Sequence, residues 1–278
     1  MISFPNAKIN LGLDILRRRP DGYHDISTVM IPVPWCDVLE AVPATGTDTT
    51  LTVSGRGVDC PQEKNLVMKA YRALEQLVEL PPLDLYLRKI IPDGAGLGGG
   101  SSDASGLLKM LNTMLDLDLS NEQLAEVAST LGADCPFFIA DSPMLCTGTG
   151  TTMTPIDIPA LEGVSVLIVK PAVSVPTAAA YSRVVPALPS RPVEEIVTLP
   201  VEQWQGLLKN DFEPSVFAAY PEVGRVKETI MSLEPLYASM SGSGAAVYGL
   251  FPADKLSALS TPATAALFPG CEIFFGLL

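Results

Sequence analysis

The stretch Gly94–Ser102 reads GAGLGGGSS, and five of the seven residues from Gly94 to Gly100 are glycine. Such a run is either a flexible spacer or a place where backbone comes unusually close to something. Its neighbours decide between these. On its N-terminal side LDLYLRKII (83–91) alternates apolar and polar residues with the period of a strand, and Pro92 ends it. On its C-terminal side Ala104, Leu107, Leu108, Leu111 and Leu115 form one helical stripe. Flexible linkers join independent units in polar surroundings, whereas strand, glycines and helix in that order suit an anion. Without a Cβ, amides can turn inward and approach oxygen closely. The helix mouth adds unpaired N–H groups and the positive end of its dipole. Ser101 and Ser102 bring hydroxyls to the same point, so the inference is a phosphate cradle.

Several known cradles do not match. Gly94-x-Gly96-x-x-Gly99 spells the dinucleotide fingerprint, but the helix that follows leads to another helix instead of a second parallel strand. The Walker pattern fails because Gly100 stands where its lysine belongs, and no V-A-I-K, H-R-D or D-F-G supports a protein-kinase loop.

Outward from the loop, AKINLGLDIL places Ile9, Leu11, Leu13 and Ile15 on one strand face and Lys8, Asn10, Gly12 and Asp14 on the other. RRRPDGYHD is a connection with a Pro-Asp-Gly turn signal. Helical spacing predicts a helix over 65–79, and Ser120 with Gln123 reads as a capping box for a helix that Gly132 stops. The pattern weakens over Pro155–Gly163, which sets a boundary between a domain 1–157 and a domain 158–278. Beyond it come a buried strand in VSVLIVKP and a proline-rich loop over 186–200. Helices near 201–209, 211–219 and 222–233 lead to a strand region in YASMSGSGAAVYGLF. Strands and helices mix without regular βαβ alternation, so the class is α+β.

Composition narrows the function. The chain of 278 residues is 47% apolar and 18% charged, the balance of a globular protein. A formal charge of −13 argues against nucleic acid or an anionic membrane as partner. No window is apolar enough to span a bilayer, and MISFPNAKIN has no signal-peptide layout. Five scattered cysteines without a C-x-x-C pair point to a reducing, cytoplasmic setting without a disulfide frame or zinc site. A single histidine, His24, gives Ser-His-Asp chemistry little to work from.

IPDGAGLGGGSSDAS (91–105) resembles the central motif of the GHMP kinases, P-x-x-x-G-L-G-(G)-S-S-(D/N)-A. PNAKINLGLDI resembles their first motif and SMSGSGAAVYGLF (239–251) their third, in the same order. RPDGYH, LGADCPFFI and PAVSVPTAAAY are similar to the branch that phosphorylates 4-diphosphocytidyl-2-C-methyl-D-erythritol. The resemblance implies a two-lobed fold with its site in the cleft between lobes, ATP with Mg²⁺ as cofactor, and a small cytidyl diphosphate substrate. It implies Lys8 and Asp134 as the catalytic pair, Asp134 either taking the hydroxyl proton or orienting it. It implies nucleotide contacts from Asn65, Lys89, Pro92, Gly94, Gly96, Leu97, Gly98, Gly99, Gly100, Ser101 and Ser102. Asn65 reads equally well as a helix cap. Asn10, Tyr23, His24, Thr177 and Tyr181 are the implied substrate contacts, with Tyr23 and Tyr181 stacking on cytosine and His24 bonding its edge. SGSGA (241–245) is either a tight turn or part of this site. The alternatives are a sister kinase of homoserine or mevalonate type and a nucleotide-binding regulator without turnover. Metal ligands and oligomeric state have no signature in the sequence.

Overall fold

A computed structural model describes residues 1–56 and 60–278. The strands are β1 (Ile2–Ser3), β2 (Asn6–Arg18), β3 (His24–Cys36), β4 (Val38–Pro43), β5 (Thr50–Gly55), β6 (Leu83–Lys89), β7 (Met144–Gly148), β8 (Thr152–Pro155), β9 (Val164–Lys170), β10 (Tyr237–Met240), β11 (Val247–Pro252) and β12 (Glu272–Leu277). The helices are α1 (Leu66–Glu75), α2 (Gly99–Met114), α3 (Asn121–Ser129), α4 (Cys135–Ala140), α5 (Thr177–Tyr181), α6 (Val193–Ile196), α7 (Glu213–Ala219), α8 (Pro221–Met231), α9 (Leu256–Leu259) and α10 (Pro262–Ala266).

The chain forms two compact units. One comprises Met1–Ala7, Trp35–Asp93 and Gly98–Ser142. Its sheet runs β1-β4-β6-β5, with β6 antiparallel to β4 and parallel to β5. Strand β6 turns Leu83, Leu85 and Leu87 inward, as its alternation requires. They share a core with Val67, Ala70, Tyr71 and Leu74 of α1 and with Leu107, Leu108 and Leu111 of α2. Small residues bury the start of α2: a Cβ on Gly106 would lie 2.9 Å from Pro5. The capping box that opens α3 forms as its sequence specifies, with Ser120 Oγ accepting from the Gln123 amide.

The other unit comprises Lys8–Pro34, Gly94–Leu97 and Pro143–Leu278. It holds the antiparallel sheet β10-β11-β9-β12 and all but the ends of the sheet β2-β3-β7-β8. Strand β9 is buried along its whole length. Helix α8 packs Val223, Val226 and Ile230 into the same core, where a Cβ on Gly249 would lie 2.6 Å from Ile230.

A single cut at 157/158 does not describe these units, because the first strands belong with the C-terminal half. Leu13, Ile15 and Ile26 share a core with Leu167, Val169 and Phe212. Leu13 also bridges Asn210. The helix expected over 201–209 is only a 3-10 turn at Val201–Gln203. Gly206 at φ 88° breaks the pattern, and Trp204 is buried with its Nε1 donating to the Leu199 carbonyl at 2.9 Å. The proline-rich loop 186–200 contains one short helix, α6.

Candidate active site

In the unit that carries β2, three separate pieces of sequence meet. Lys8 and Asn10 point to one side of β2, which is no solvent face: they are 3% and 1% exposed. Lys8 Nζ donates to Asn10 Oδ1 at 2.5 Å. Because an ammonium only donates, this contact fixes which end of the carboxamide faces it. Asn10 Nδ2 then donates to Thr28 Oγ1 at 3.0 Å, and that hydroxyl donates to the Gly12 carbonyl at 2.5 Å.

The second piece is Gly94–Leu97. The Lys8 amide donates to the Leu97 carbonyl at 2.9 Å, and the Ala246 amide to the Ala95 carbonyl at 3.0 Å. The third piece is the turn between β10 and β11. Ser241 Oγ accepts from the Asn10 amide at 3.2 Å and donates to the Gly96 carbonyl at 2.8 Å. Asn210 Nδ2 braces this turn through the Met240 and Gly242 carbonyls, each at 2.8 Å. The approach demands glycine: a Cβ on Gly96 would lie 2.1 Å from the Ser241 carbonyl oxygen. One on Gly242 would lie 3.3 Å from Asn10 Oδ1 and 3.4 Å from Gly96 Cα.

Gly94, Gly96 and Gly98 have φ of 58°, 74° and 72°, alternating with the buried Ala95 and Leu97. The chain then enters the other unit and α2 begins at Gly99, two residues before Ser101. Its N-cap, Gly98, offers no side chain to the first amides, and no acidic residue lies in the first turn. A 16-residue helix with an uncapped, uncharged mouth is suited to an anion.

The same unit holds Asn65, Lys89, Pro92, Ser101, Ser102 and Asp134. Asn65 caps α1, its Oδ1 accepting from the Val67 amide at 2.9 Å. The start of α1 abuts that of α2, since a Cβ on Gly100 would lie 3.6 Å from Leu66. Asp134 is half-buried, just before α4. The next residue, Cys135, its thiol buried, ties it to α2: its carbonyl accepts from Ser105 Oγ at 2.7 Å. Burial pushes that thiol up, so it is inert beside the carboxylate. Lys89 is 3% exposed, its ammonium bonds to two buried carboxylates, Asp37 and Asp103, and it lies 3.3 Å from where a Cβ on Gly99 would be. Neither acid stood out in the sequence, although Asp103 lies within the quoted central motif.

The expected substrate residues belong to the unit of β2. The His24 and Tyr181 rings stack at 4.9 Å with planes 20° apart, and Tyr181 meets Phe212 edge-on at 4.8 Å. Tyr23 is 67% exposed. Thr177 Oγ1 lies 3.3 Å from Ser243 Oγ in the third motif. The face of Tyr181 expected against cytosine is thus covered by His24. The turn before them is braced by Asp25, held below the usual carboxylate range by hydrogen bonds from Arg17 and Arg19.

Residues 65–142 match the family model for the GHMP kinases N terminal domain, and residues 195–266 that for GHMP kinases C terminal. This chain belongs to the GHMP kinases. It is 51% identical over 251 residues to the 4-diphosphocytidyl-2-C-methyl-D-erythritol kinase of Parabacteroides distasonis, covering 90% of this chain and 92% of that protein. Its identity to the Bacteroides fragilis protein of the same name is 46%, over 92% and 94% of the two chains. A crystal structure of 4-(cytidine 5'-diphospho)-2C-methyl-D-erythritol kinase matches at TM-score 0.83 and 31% identity, covering 99% of this chain and 98% of that one. The mevalonate kinase of Methanococcus jannaschii matches at TM-score 0.73 and 14% identity, over 100% and 98% of the two chains, a likeness of fold. The mixed helix and strand content is that of the GHMP kinase fold, and kinases of this family use ATP. Among the described residues no helix is long and apolar enough to cross a membrane.

Proposed function

We propose that this GHMP kinase transfers the γ-phosphoryl group of ATP to the 2-hydroxyl of 4-diphosphocytidyl-2-C-methyl-D-erythritol. The products would be the 2-phosphate and ADP, within non-mevalonate isoprenoid biosynthesis. The observation that carries the reading is the junction of Lys8–Asn10, Gly94–Leu97 and Ser241–Ala246, which supports the glycine loop at the start of α2. In this reading the amides of Gly99–Ser102 hold the polyphosphate. Lys8, oriented by Asn10, stabilises charge on the moving phosphoryl group. Asp134 accepts the substrate's hydroxyl proton or aligns that hydroxyl for in-line attack. Tyr23 and Tyr181 take the cytosine ring, and His24 leaves the face of Tyr181 to meet the polar edge of the base. Thr177 steadies the same ligand.

Among the described residues no three acidic, histidine or cysteine side chains gather as a metal cage. The donors at the helix mouth are the hydroxyls of Ser101 and Ser102, which fit a hard cation held chiefly by phosphate oxygens and water. When bound, Mg²⁺ would offset the charge of the phosphates.

The test is coupled ADP release from purified protein with Mg-ATP and a panel of the cytidyl substrate, mevalonate and homoserine. Turnover with the cytidyl substrate is expected. Turnover only with mevalonate or homoserine overturns the substrate, and no ADP release with any acceptor overturns the kinase reading.

A further inference from the structure

Asn210–Glu213, the four residues that lead into α7, are tied to separate parts of the unit of β2. Asn210, 3% exposed, donates through Nδ2 to the Met240 and Gly242 carbonyls, and its Oδ1 accepts the Phe212 amide at 3.0 Å. Asp211 holds β2: its amide donates to the Leu13 carbonyl at 2.9 Å, and its Oδ2 accepts the Ile15 amide at 2.7 Å. Glu213 holds β10: its Oε1 accepts the Met240 amide at 2.8 Å and the Ser239 hydroxyl at 3.1 Å, and its Oε2 accepts from Lys227 Nζ at 2.5 Å. Phe212 lies among these anchors. It is 1% exposed, and its carbonyl accepts the Val216 amide at 2.9 Å. Its backbone is therefore held to two different strands.

The ring that Phe212 meets is Tyr181, which has little local support. Tyr181 is the last residue of α5, a helix of five residues, and no helix or strand follows it before α6. So short a helix does not hold its last side chain by its own hydrogen bonds. The Tyr181 ring is half-buried and stacks on His24, and it stands at 89° to Phe212 with centroids 4.8 Å apart. Edge-to-face is a preferred geometry for two aromatic rings, and a perpendicular ring at this distance obstructs rotation of Tyr181. A ring already held in its plane gives up less freedom when a flat base stacks on it.

We propose that Phe212 is a positioning residue for recognition of the substrate's base: it sets the plane of the Tyr181 ring and, through Asn210, ties that plane to the turn that carries Ser241. The inference rests on the reading of Tyr181 as a cytosine contact. Ser241 Oγ accepts the Asn10 amide, so the base platform and the surroundings of Lys8 share one anchor.

His24 is the one histidine of the chain, so its Hε1 proton gives a single nuclear magnetic resonance line in the full, untagged protein. Stacking on Tyr181 should move that line upfield of its position in Tyr181→Leu, the reference without the stack. In Phe212→Leu most of that offset should vanish. KM for the cytidyl substrate should rise about three- to tenfold, the worth of one aromatic pair, with kcat and KM for ATP within about twofold. Ile230→Val, which thins the same core beside Gly249, should lower stability and change neither readout. An offset retained in Phe212→Leu, an unchanged KM, or the same two changes in Ile230→Val overturns the proposal. Where Phe212→Leu does not fold, Phe212→Met takes its place. In the unsubstituted protein, a His24 line at the Tyr181→Leu position overturns the proposal without either variant. Absence of ADP release with every acceptor overturns the kinase reading. The His24 line then judges Phe212 together with calorimetric titration of cytidine 5'-diphosphate, which should bind Phe212→Leu about three- to tenfold more weakly; equal affinity overturns the proposal.

Discussion

Adding one methyl group at Gly96 tests whether the junction of three motifs holds the loop. Gly96 has φ 74°, a conformation that costs an L-residue about 1–2 kcal/mol. Its Cβ would also fall 2.1 Å from the Ser241 carbonyl oxygen and 2.9 Å from the Ser241 carbonyl carbon. Ser241 cannot yield freely. It is 0% exposed, its amide donates to the Ala246 carbonyl at 2.9 Å, and its carbonyl accepts from the Gly244 amide at 3.0 Å. Its hydroxyl joins Asn10 and Gly96. Displacing it breaks the two hydroxyl bonds, each worth about 1 kcal/mol. Gly96→Ala should therefore cost about 3–4 kcal/mol in all. Gly94→Ala is the control. Its φ is 58°, but the nearest atom to its Cβ is the Ser174 hydroxyl at 3.3 Å, on an exposed side chain that can turn away. Strain alone then costs about 1–2 kcal/mol. Urea unfolding followed by tryptophan fluorescence compares the two, since Trp204 is buried in the unit of Ser241 while Trp35 lies in the other. Equal losses of stability from both substitutions would show that the junction does not hold the loop, and the reasoning would fail.

Lys8→Met should lower kcat by about two to three orders of magnitude, the usual loss for one preorganised charge, with a much smaller change in KM for ATP; steady-state kinetics showing an unaltered kcat would remove Lys8 from the chemistry. Asp134→Asn should likewise reduce turnover far more than ATP affinity, and an unchanged rate would exclude it from the reaction. Tyr23→Ala should raise KM for the cytidyl substrate and spare that for ATP; a change in ATP alone contradicts its role. The raised Asp103 carboxyl makes the folded state hold a proton that the unfolded chain releases above about pH 4. Its contribution is therefore full below that pH and declines as pH rises towards about 8, by about 1.4 kcal/mol per unit. Denaturation of wild type and Asp103→Asn between about pH 5 and 7 should show their stability difference falling with that slope, and a constant difference contradicts the assignment.

The loop was legible because its evidence is local. A period-2 strand, alternate glycines and a helical stripe are each read within a few residues, and the backbone follows them, with Gly94, Gly96 and Gly98 all at positive φ. The same locality misleads elsewhere. Alternation in AKINLGLDIL separates two faces correctly but is silent on what covers the polar one. Ser241, 231 residues from Asn10, closes it, so Lys8 and Asn10 lie buried. Val201, Trp204, Leu207 and Leu208 have helical spacing, yet Trp204 is buried from a short 3-10 turn because Gly206 ends the run. The cut at 157/158 fails for a related reason: a composition shift marks where chain is irregular, whereas Leu13 and Ile26 choose partners near residues 167–169 and 212. Lys89 draws these points together. Its role as a nucleotide contact was expected from resemblance, but its charge is matched by Asp37, 52 residues away, and Asp103, 14 residues away. The first of these sits in the apolar run PVPWCDVLE, where strand formation gave no reason to notice an acid. A carboxylate in such a run has two outcomes, a partner or a proton. Here Lys89 partners both acids and leaves one oxygen of Asp103 without a donor.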